Sequence, residues 1–173
     1  AEWVPIKPKT DAAFMFSMIH VMLHEMPRES LDIPFLKHHT GSPYLIGPNG
    51  FYLRDQATRK PLLWDLKRNA AVPFDTPDTD PALDGTFTLD AIEVGADDET
   101  WTYQGLAAET AFGKLIARVQ PYAPEWAEKT CDIREGTVRR IAAEYVQQAQ
   151  VGATMEVDGE TLPFRPVSIQ FGR

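Results

Sequence analysis

Cysteine is almost absent from the chain, since Cys131 is the only one among 173 residues. A single thiol excludes an internal disulfide and any zinc or iron–sulfur site built from cysteines of this chain alone. Long apolar runs are also missing, and none reaches the ~18 residues that predict a membrane span. P-loop and G-x-G-x-x-G motifs are absent. With no Ser/His/Asp or Cys/His arrangement either, the sequence predicts no active site within this chain.

Basic residues are scarce as well. The chain has 17 Lys and Arg against 25 Asp and Glu, a net charge of -8, which argues against a nucleic-acid partner. A single bound nucleotide remains compatible, because one site needs only local hydrogen-bond donors. The first residues lack Met, a basic n-region and an apolar h-region. They predict a cut or processed chain and leave the parent protein's compartment open between cytoplasm and periplasm.

Two helices are predicted in the first forty residues. Thr10 or Asp11 provides an N-cap for a helix at Ala12–Met26, which ends at Pro27. Apolar side chains cover nearly all faces of this helix, so it is expected to be buried all round. A second, short helix is predicted at Ile33–His39.

Residues 42–107 differ, because Pro, Gly and Asn recur between short apolar runs. A turn at Pro48–Gly50 predicts a β-hairpin, and Leu62–Trp64 is expected to pair with Ala71–Val72. Thr86–Val94 is a further predicted strand, and the acidic, Pro-containing stretch before it is a predicted loop. The interpretation is an insertion of loops and hairpins between two helical parts.

Helical periodicity returns after this region. Helices are predicted at Leu106–Val119, at Pro124–Thr130 and from about Ile133 to Gln150. A turn between extended pieces is predicted at Val157–Leu162. The last predicted element is a strand at Pro166–Phe171, against which the helix Ala12–Met26 is expected to pack.

Several polar groups have both a structural and a functional interpretation. His20 and His24 share a helical face at a spacing that can bind zinc, but without a third ligand a packing or hydrogen-bonding role is favoured. Arg139–Arg140, with acidic residues one turn away, predicts a salt-bridged surface. The acidic run Asp97–Glu99 lacks the spacing and glycine of a calcium loop.

Three separated segments resemble one family. Trp3–Ala13 resembles the Pro-Gly-Thr-Asp stretch of the dimethyl sulfoxide reductase family of molybdopterin-dependent oxidoreductases, and His20–Glu25 is similar to its continuation. Tyr122–Ala127 with Val138–Ala142 resembles a second family segment, and Leu162–Arg173 is similar to a third. Lys9 departs from the usual glycine. Cys131 stands where the family often has glycine and is not the molybdenum ligand.

The resemblance implies a fold and a site. The fold is α/β, a partial doubly wound (Rossmann-like) domain, with residues 1–173 as one partial nucleotide-binding domain and 42–107 as an insertion within it. The implied cofactor-binding residues are Pro8, Thr10, Asp11, Gly172 and Arg173. Asp11 is expected to accept hydrogen bonds from guanine while the Thr10 hydroxyl fixes the loop; the alternative is that Asp11 is only an N-cap.

The resemblance also implies a parent enzyme. It would carry molybdopterin guanine dinucleotide with molybdenum or tungsten, and its partners would be an iron–sulfur subunit together with the remaining domains of the catalytic subunit. The isolated chain is expected to hold no metal and to show no oxidoreductase activity. The alternative hypothesis is a stand-alone α/β binding module without metal chemistry.

Overall fold

The computed structural model describes residues 3–170 and contains two compact units. The helical unit comprises residues up to Asp32 together with those from Arg118 onward, and the β unit comprises Ile33–Ala117. The chain therefore leaves the helical unit and later returns to it. The single partial domain and the narrower insertion at 42–107 stay predictions.

The described chain contains five α-helices and eight strands. In chain order they are α1 (Asp11–His20), a π-helical turn (Val21–Glu25), a 3-10 turn (Arg28–Ser30), α2 (Ile33–His39), β1 (Leu45–Ile46), β2 (Leu53–Arg54), β3 (Leu62–Asp65), β4 (Ala70–Pro73), β5 (Thr86–Val94), β6 (Thr100–Thr110), α3 (Ala111–Val119), α4 (Pro124–Cys131), α5 (Thr137–Ala149), β7 (Thr154–Val157) and β8 (Glu160–Pro163).

The first helix of the helical unit is as long as its sequence predicts. Asp11 lies in the first turn of α1, where a carboxylate favours the helix dipole, and the π-helical turn carries the helix on to Glu25. Pro27 follows and cannot continue it. Burial on all faces was a wrong expectation, because Phe16 is 38% exposed and His24 is exposed.

Helices, not a sheet, cover the apolar face of α1. Met18 and Val21 pack against Ala127 of α4 and against Val138 and Ala142 of α5. The predicted strand at Pro166–Phe171 is wrong for residues 166–170, which pair with no neighbouring strand; Phe171 lies outside the described residues. The β-branched composition there satisfied the strand pattern, but composition alone supplies no partner strand.

The β unit is built on an antiparallel sheet of four strands in the order β1-β6-β5-β2. Its core side chains are buried leucines and alanines: Leu45, Leu53, Leu62, Leu89, Ala91 and Ala108. The predicted pairing of Leu62–Trp64 with Ala71–Val72 is confirmed as the two-stranded sheet β3-β4. The turn predicted at Pro48–Gly50 is closed by a single bridge between Ile46 and Tyr52, but β1 and β2 form no ladder with each other and pair instead with β6 and β5.

One helix prediction in this region needs a correction. Residues 106–110 of the predicted helix Leu106–Val119 belong to β6, and α3 begins only at Ala111. The ladder with β5, together with the pairing of Glu109 and Thr110 to β1, overrides the local helical pattern. Sequence periodicity cannot show such long-range pairing.

The chain is thus of mixed α and β structure, as predicted. A parallel, doubly wound sheet is not confirmed, because every strand pair within residues 3–170 is antiparallel. A separate hairpin, β7-β8, confirms the turn predicted at Val157–Leu162. No helix among the described residues is long and apolar enough to span a membrane.

Candidate functional site

The candidate site lies at the start of α1, where a tight turn precedes the helix. The Thr10 side chain donates a hydrogen bond to the Lys7 carbonyl (2.6 Å), and the Thr10 N–H donates to the same oxygen (3.2 Å). Lys9 adopts a left-handed conformation with φ of 69°. That conformation favours glycine, so the β-carbon of Lys9 makes this turn strained. Pro8 is exposed beside it.

The N-terminus of α1 has no side-chain cap. Thr10, not Asp11, occupies the N-cap position, and its hydroxyl points back to Lys7. The Thr10 carbonyl accepts the N–H groups of Ala13 and Phe14. Within residues 3–170 no acceptor binds the N–H of Asp11 or Ala12, and no donor binds the Asp11 carboxylate, which is exposed. The two acceptor oxygens of the Asp11 carboxylate therefore lie close to two N–H donors that have no acceptor among the described residues.

Cys131, at the end of α4, anchors this turn. Its carbonyl accepts the Lys7 N–H (2.8 Å), and its thiol donates to the Thr10 carbonyl (3.5 Å). The Cys131 side chain is fully buried. Sequence reasoning excluded Cys131 as a metal ligand but missed this positioning role, because nothing local in the sequence connects residue 131 to residue 10.

The N-terminus of α5 contrasts with that of α1. The buried Glu128 carboxylate accepts the N–H groups of Gly136 (3.1 Å) and Val138 (2.9 Å). Such charge-assisted bonds satisfy both the carboxylate and the free donors of the helix end. The α5 terminus is therefore closed by the chain itself, whereas the α1 terminus remains available to a ligand.

A charged cluster lies between the π-helical turn, α4 and α5. Arg139 donates two hydrogen bonds to Glu25 (2.6 and 2.8 Å) and one to Glu125 (2.5 Å). These bonds raise the pKa of the guanidinium, and the bond from Arg139 lowers the pKa of Glu125. The predicted salt-bridged surface is confirmed. Arg139, however, binds Glu25 and Glu125 of neighbouring elements, and not an acid one turn away on α5.

The two histidines have the packing role that the sequence favours. Nδ1 of His20 lies 3.0 Å from the Val119 carbonyl, and the rings of His20 and His24 are 4.9 Å apart. Among the described residues no three potential ligands come together to hold a metal ion.

A groove of about 540 Å³ runs along the segment before this turn, between Trp3–Pro5 and the loop Asp132–Thr137. Arg134 and Arg140 contribute to its lining. Of the predicted site residues, Pro8, Thr10 and Asp11 lie together at the start of α1. Gly172 and Arg173 lie outside the described residues, so their predicted contacts stay predictions.

Comparison with known proteins identifies similar redox enzymes, although no protein-family model matches the chain. It is 28% identical over 157 residues to a subunit of the sulfite dehydrogenase of Allochromatium vinosum, covering 83% of this chain and 15% of that protein. It is 26% identical over 147 residues to the alpha subunit of the chlorate reductase of Ideonella dechloratans, covering 81% and 15%.

A third relative is the alpha subunit of the dimethylsulfide dehydrogenase of Rhodovulum sulfidophilum, 28% identical over 163 residues, covering 84% of this chain and 16% of that protein. The chain thus spans only about 15% of the length of these relatives. The resemblance found in the sequence is confirmed: this chain is related to a segment of the catalytic subunits of molybdopterin-dependent oxidoreductases.

Proposed function

We propose that the chain is part of the catalytic subunit of a molybdenum or tungsten oxidoreductase and helps to bind one guanosine end of bis-molybdopterin guanine dinucleotide. The observation that supports this most is the uncapped start of α1, where Asp11 has no protein partner among the described residues. Likeness to three redox subunits favours this function over a stand-alone binding module.

The chemistry of the turn fits a guanine base. Guanine presents a ring N–H and an exocyclic amine side by side, and a carboxylate can accept one hydrogen bond from each. Adenine offers no such pair of donors. The N–H groups of Asp11 and Ala12, at the positive end of the α1 dipole, suit a further anionic or polar group of a nucleotide.

The groups of this chain would bind and orient, while the bound metal centre would supply the redox chemistry. Thr10 and Cys131 hold the turn, and Asp11 would read the base. The remaining domains, an iron–sulfur subunit, the parallel sheet of a complete doubly wound domain and the substrate pocket would come from outside this chain. The isolated chain should accordingly contain no molybdenum and show no turnover.

The function of Asp11 can be tested in the full-length protein. Asp11→Asn turns one acceptor into an amine donor that faces the donors of guanine, which should weaken local binding by ~2–4 kcal/mol. Guanine nucleotide released on denaturation would measure cofactor occupancy. Because Asp11 is not the N-cap residue and no side chain caps α1, the substitution removes no capping hydrogen bond.

Asp158→Asn is the matched control, since Asp158 is also exposed and has φ of 51°, a left-handed conformation that Asn tolerates. It should keep full occupancy. If Asp11→Asn also kept full occupancy, and only Asp11→Ala lost cofactor, base recognition by Asp11 would be excluded.

A further inference from the structure

The long hairpin of the β unit has an edge without a neighbour. β6 pairs with β5 along its length, but its outer side meets β1 only at Glu109 and Thr110. Within residues 3–170 no strand or loop pairs with the outer side of Thr100–Ala108. Unpaired backbone donors and acceptors of this kind can bind an added strand.

A bulge limits this edge to its distal part. Leu89 pairs with Leu106 and Ala91 with Tyr103, so Gln104 and Gly105 together lie opposite Asp90. Gly105 has φ of 62°, and its N–H donates to the Asp90 side chain (2.7 Å). The ladder bends there, which leaves Thr100–Tyr103 as the continuous stretch, called here the free edge.

The composition of the free edge suits strand addition. Thr100–Tyr103 reads Thr-Trp-Thr-Tyr, all residues with high β propensity. It contains no Lys and no Pro, which proteins commonly use to prevent edge pairing. Trp101 is 39% exposed, so an added strand would also find an aromatic surface.

The negative charge of the sequence around the free edge favours a basic partner. Between Asn69 and Gly113 there are ten acidic residues and no Lys, Arg or His. The chain neutralises several of these acids with its own lysines, in the pairs Asp75–Lys60, Asp78–Lys67 and Asp80–Lys37, each at 2.5 Å.

The acids of the hairpin turn differ from those paired acids. Asp97, Asp98 and Glu99 are exposed, adjoin the free edge directly and have no ion pair within the described residues. A partner segment with Lys or Arg would be complementary to this end of the hairpin.

We propose that the free edge receives, as an added β-strand, an extended Lys- or Arg-containing segment of a second subunit. The existence of a second subunit rests on the proposed function and on relatives that are themselves named as subunits. Unneutralised surface charge speeds the encounter of separate chains. A segment of the same polypeptide is already held nearby and gains less from such attraction.

Photo-crosslinking in the full-length protein, purified together with the other subunits, tests this edge. A photoreactive benzoylphenylalanine replaces Thr102, which is exposed on the free edge, or Thr154, an exposed threonine of β7 in the helical unit. The probe at Thr102 should link to a basic peptide of another polypeptide, and the probe at Thr154 should not. Links only to the same polypeptide, to a second copy of it, or to nothing would overturn the proposal.

The charge requirement has a matched pair of variants. Asp97→Asn with Asp98→Asn should weaken the association of the subunits about three- to tenfold at low salt, and the difference should vanish near ~0.5 M salt. Asp158→Asn with Glu160→Gln removes two charges at the turn of the other hairpin and should change nothing. Equal effects of both pairs, or none, would exclude a basic partner at this edge.

Cofactor content of the same samples separates this proposal from the proposed function. If the probe at Thr102 gave no link to another polypeptide while the guanine nucleotide content stayed full, the proposal about the free edge would be rejected and the proposed function would not.

Discussion

The helical unit and the β unit bury their carboxylates differently. In the helical unit, both oxygens of Glu128 accept backbone N–H groups of α5. In the β unit, Glu93 is fully buried, yet only Oε1 accepts a backbone N–H, from Asn49 (3.3 Å), and Oε2 has no partner. Burial, and after it the neighbouring Glu93 carboxylate, raises the pKa of the Tyr103 hydroxyl.

This difference shows that the two units use their buried carboxylates in different ways to hold their elements together. Glu128 joins α4 to α5, so the helical unit is held by a satisfied polar contact as well as by apolar packing. Glu93 lies against the loop at Gly47, where a β-carbon would approach Glu93 Oε1 to 1.9 Å. The β unit thus depends on close backbone approach to a buried acid, an arrangement sensitive to small changes.

The largest expected effect tests whether the two units are independent. Leu53→Ala in β2 and Met18→Ala in α1 each remove a side chain that is nearly or fully buried, and each should destabilise by about 2–5 kcal/mol. Hydrogen exchange should show protection lost within the β unit for Leu53→Ala and within the helical unit for Met18→Ala. Loss of protection throughout the chain in either variant would contradict two separate units.

The buried acid of the β unit gives the second prediction. Gly47→Ala forces a methyl group against Glu93 and should destabilise by about 1–3 kcal/mol, measured by urea unfolding. Gly50→Ala, in the same loop, meets no atom within 4 Å but has φ of 88°, so only the left-handed strain of roughly 1 kcal/mol is expected. Equal losses would show that conformation, and not Glu93, determines the effect.

Local signals made much of this fold predictable. α2 begins and ends at Ile33 and His39 as predicted, and β5 spans Thr86–Val94 as predicted, because periodicity and turn residues act over a few positions. The family resemblance of Trp3–Ala13 implied a loop before the first helix, which local signals alone did not predict.

Long-range contacts were not predictable. The local pattern at Leu106 predicts a helix, but Leu106 lies in β6, which pairs with β5 and β1. The anchoring of Thr10 by Cys131 joins residues 121 positions apart. The sequence left the N-cap open between Thr10 and Asp11, and only the geometry assigned it to Thr10 and showed the Asp11 carboxylate without a partner among the described residues.

Acid should weaken the β unit through Asp65. Burial alone would raise the pKa of this carboxyl, but hydrogen bonds from the Asp80 N–H, Arg68 and the Lys67 N–H lower it overall. A pKa lowered by folding stabilises at pH values above the unfolded value of ~3.9, and this stabilisation is lost as the pH falls through the folded pKa.

The measurement is the urea midpoint at pH 7 and near pH 3. Asp65→Asn should be less stable than the parent at pH 7 and should lose less stability on acidification. Asp97→Asn, at an exposed acid of the hairpin turn, should follow the parent at both pH values. A parental acid dependence in Asp65→Asn would remove Asp65 as the cause.

The smallest effect concerns the turn before α1. Lys9→Gly relieves a left-handed strain of roughly 1–2 kcal/mol, but glycine also increases the freedom of the unfolded chain by about 0.4–1 kcal/mol. Lys9→Gly is therefore expected to give a net stabilisation of about 0.5–1 kcal/mol. The measurement is the thermal unfolding midpoint of the helical unit. Lys9→Ala keeps the β-carbon and the strain at φ of 69°, so it should not stabilise.

Neither change should alter cofactor occupancy in the full-length protein, because Asp11 has no protein partner among the described residues that a change at Lys9 could disturb. The exception would be a direct contact between the Lys9 ammonium and the nucleotide. Loss of occupancy in both variants would show that contact, whereas a Lys9→Gly variant no more stable than the parent would show that the left-handed turn is not strained.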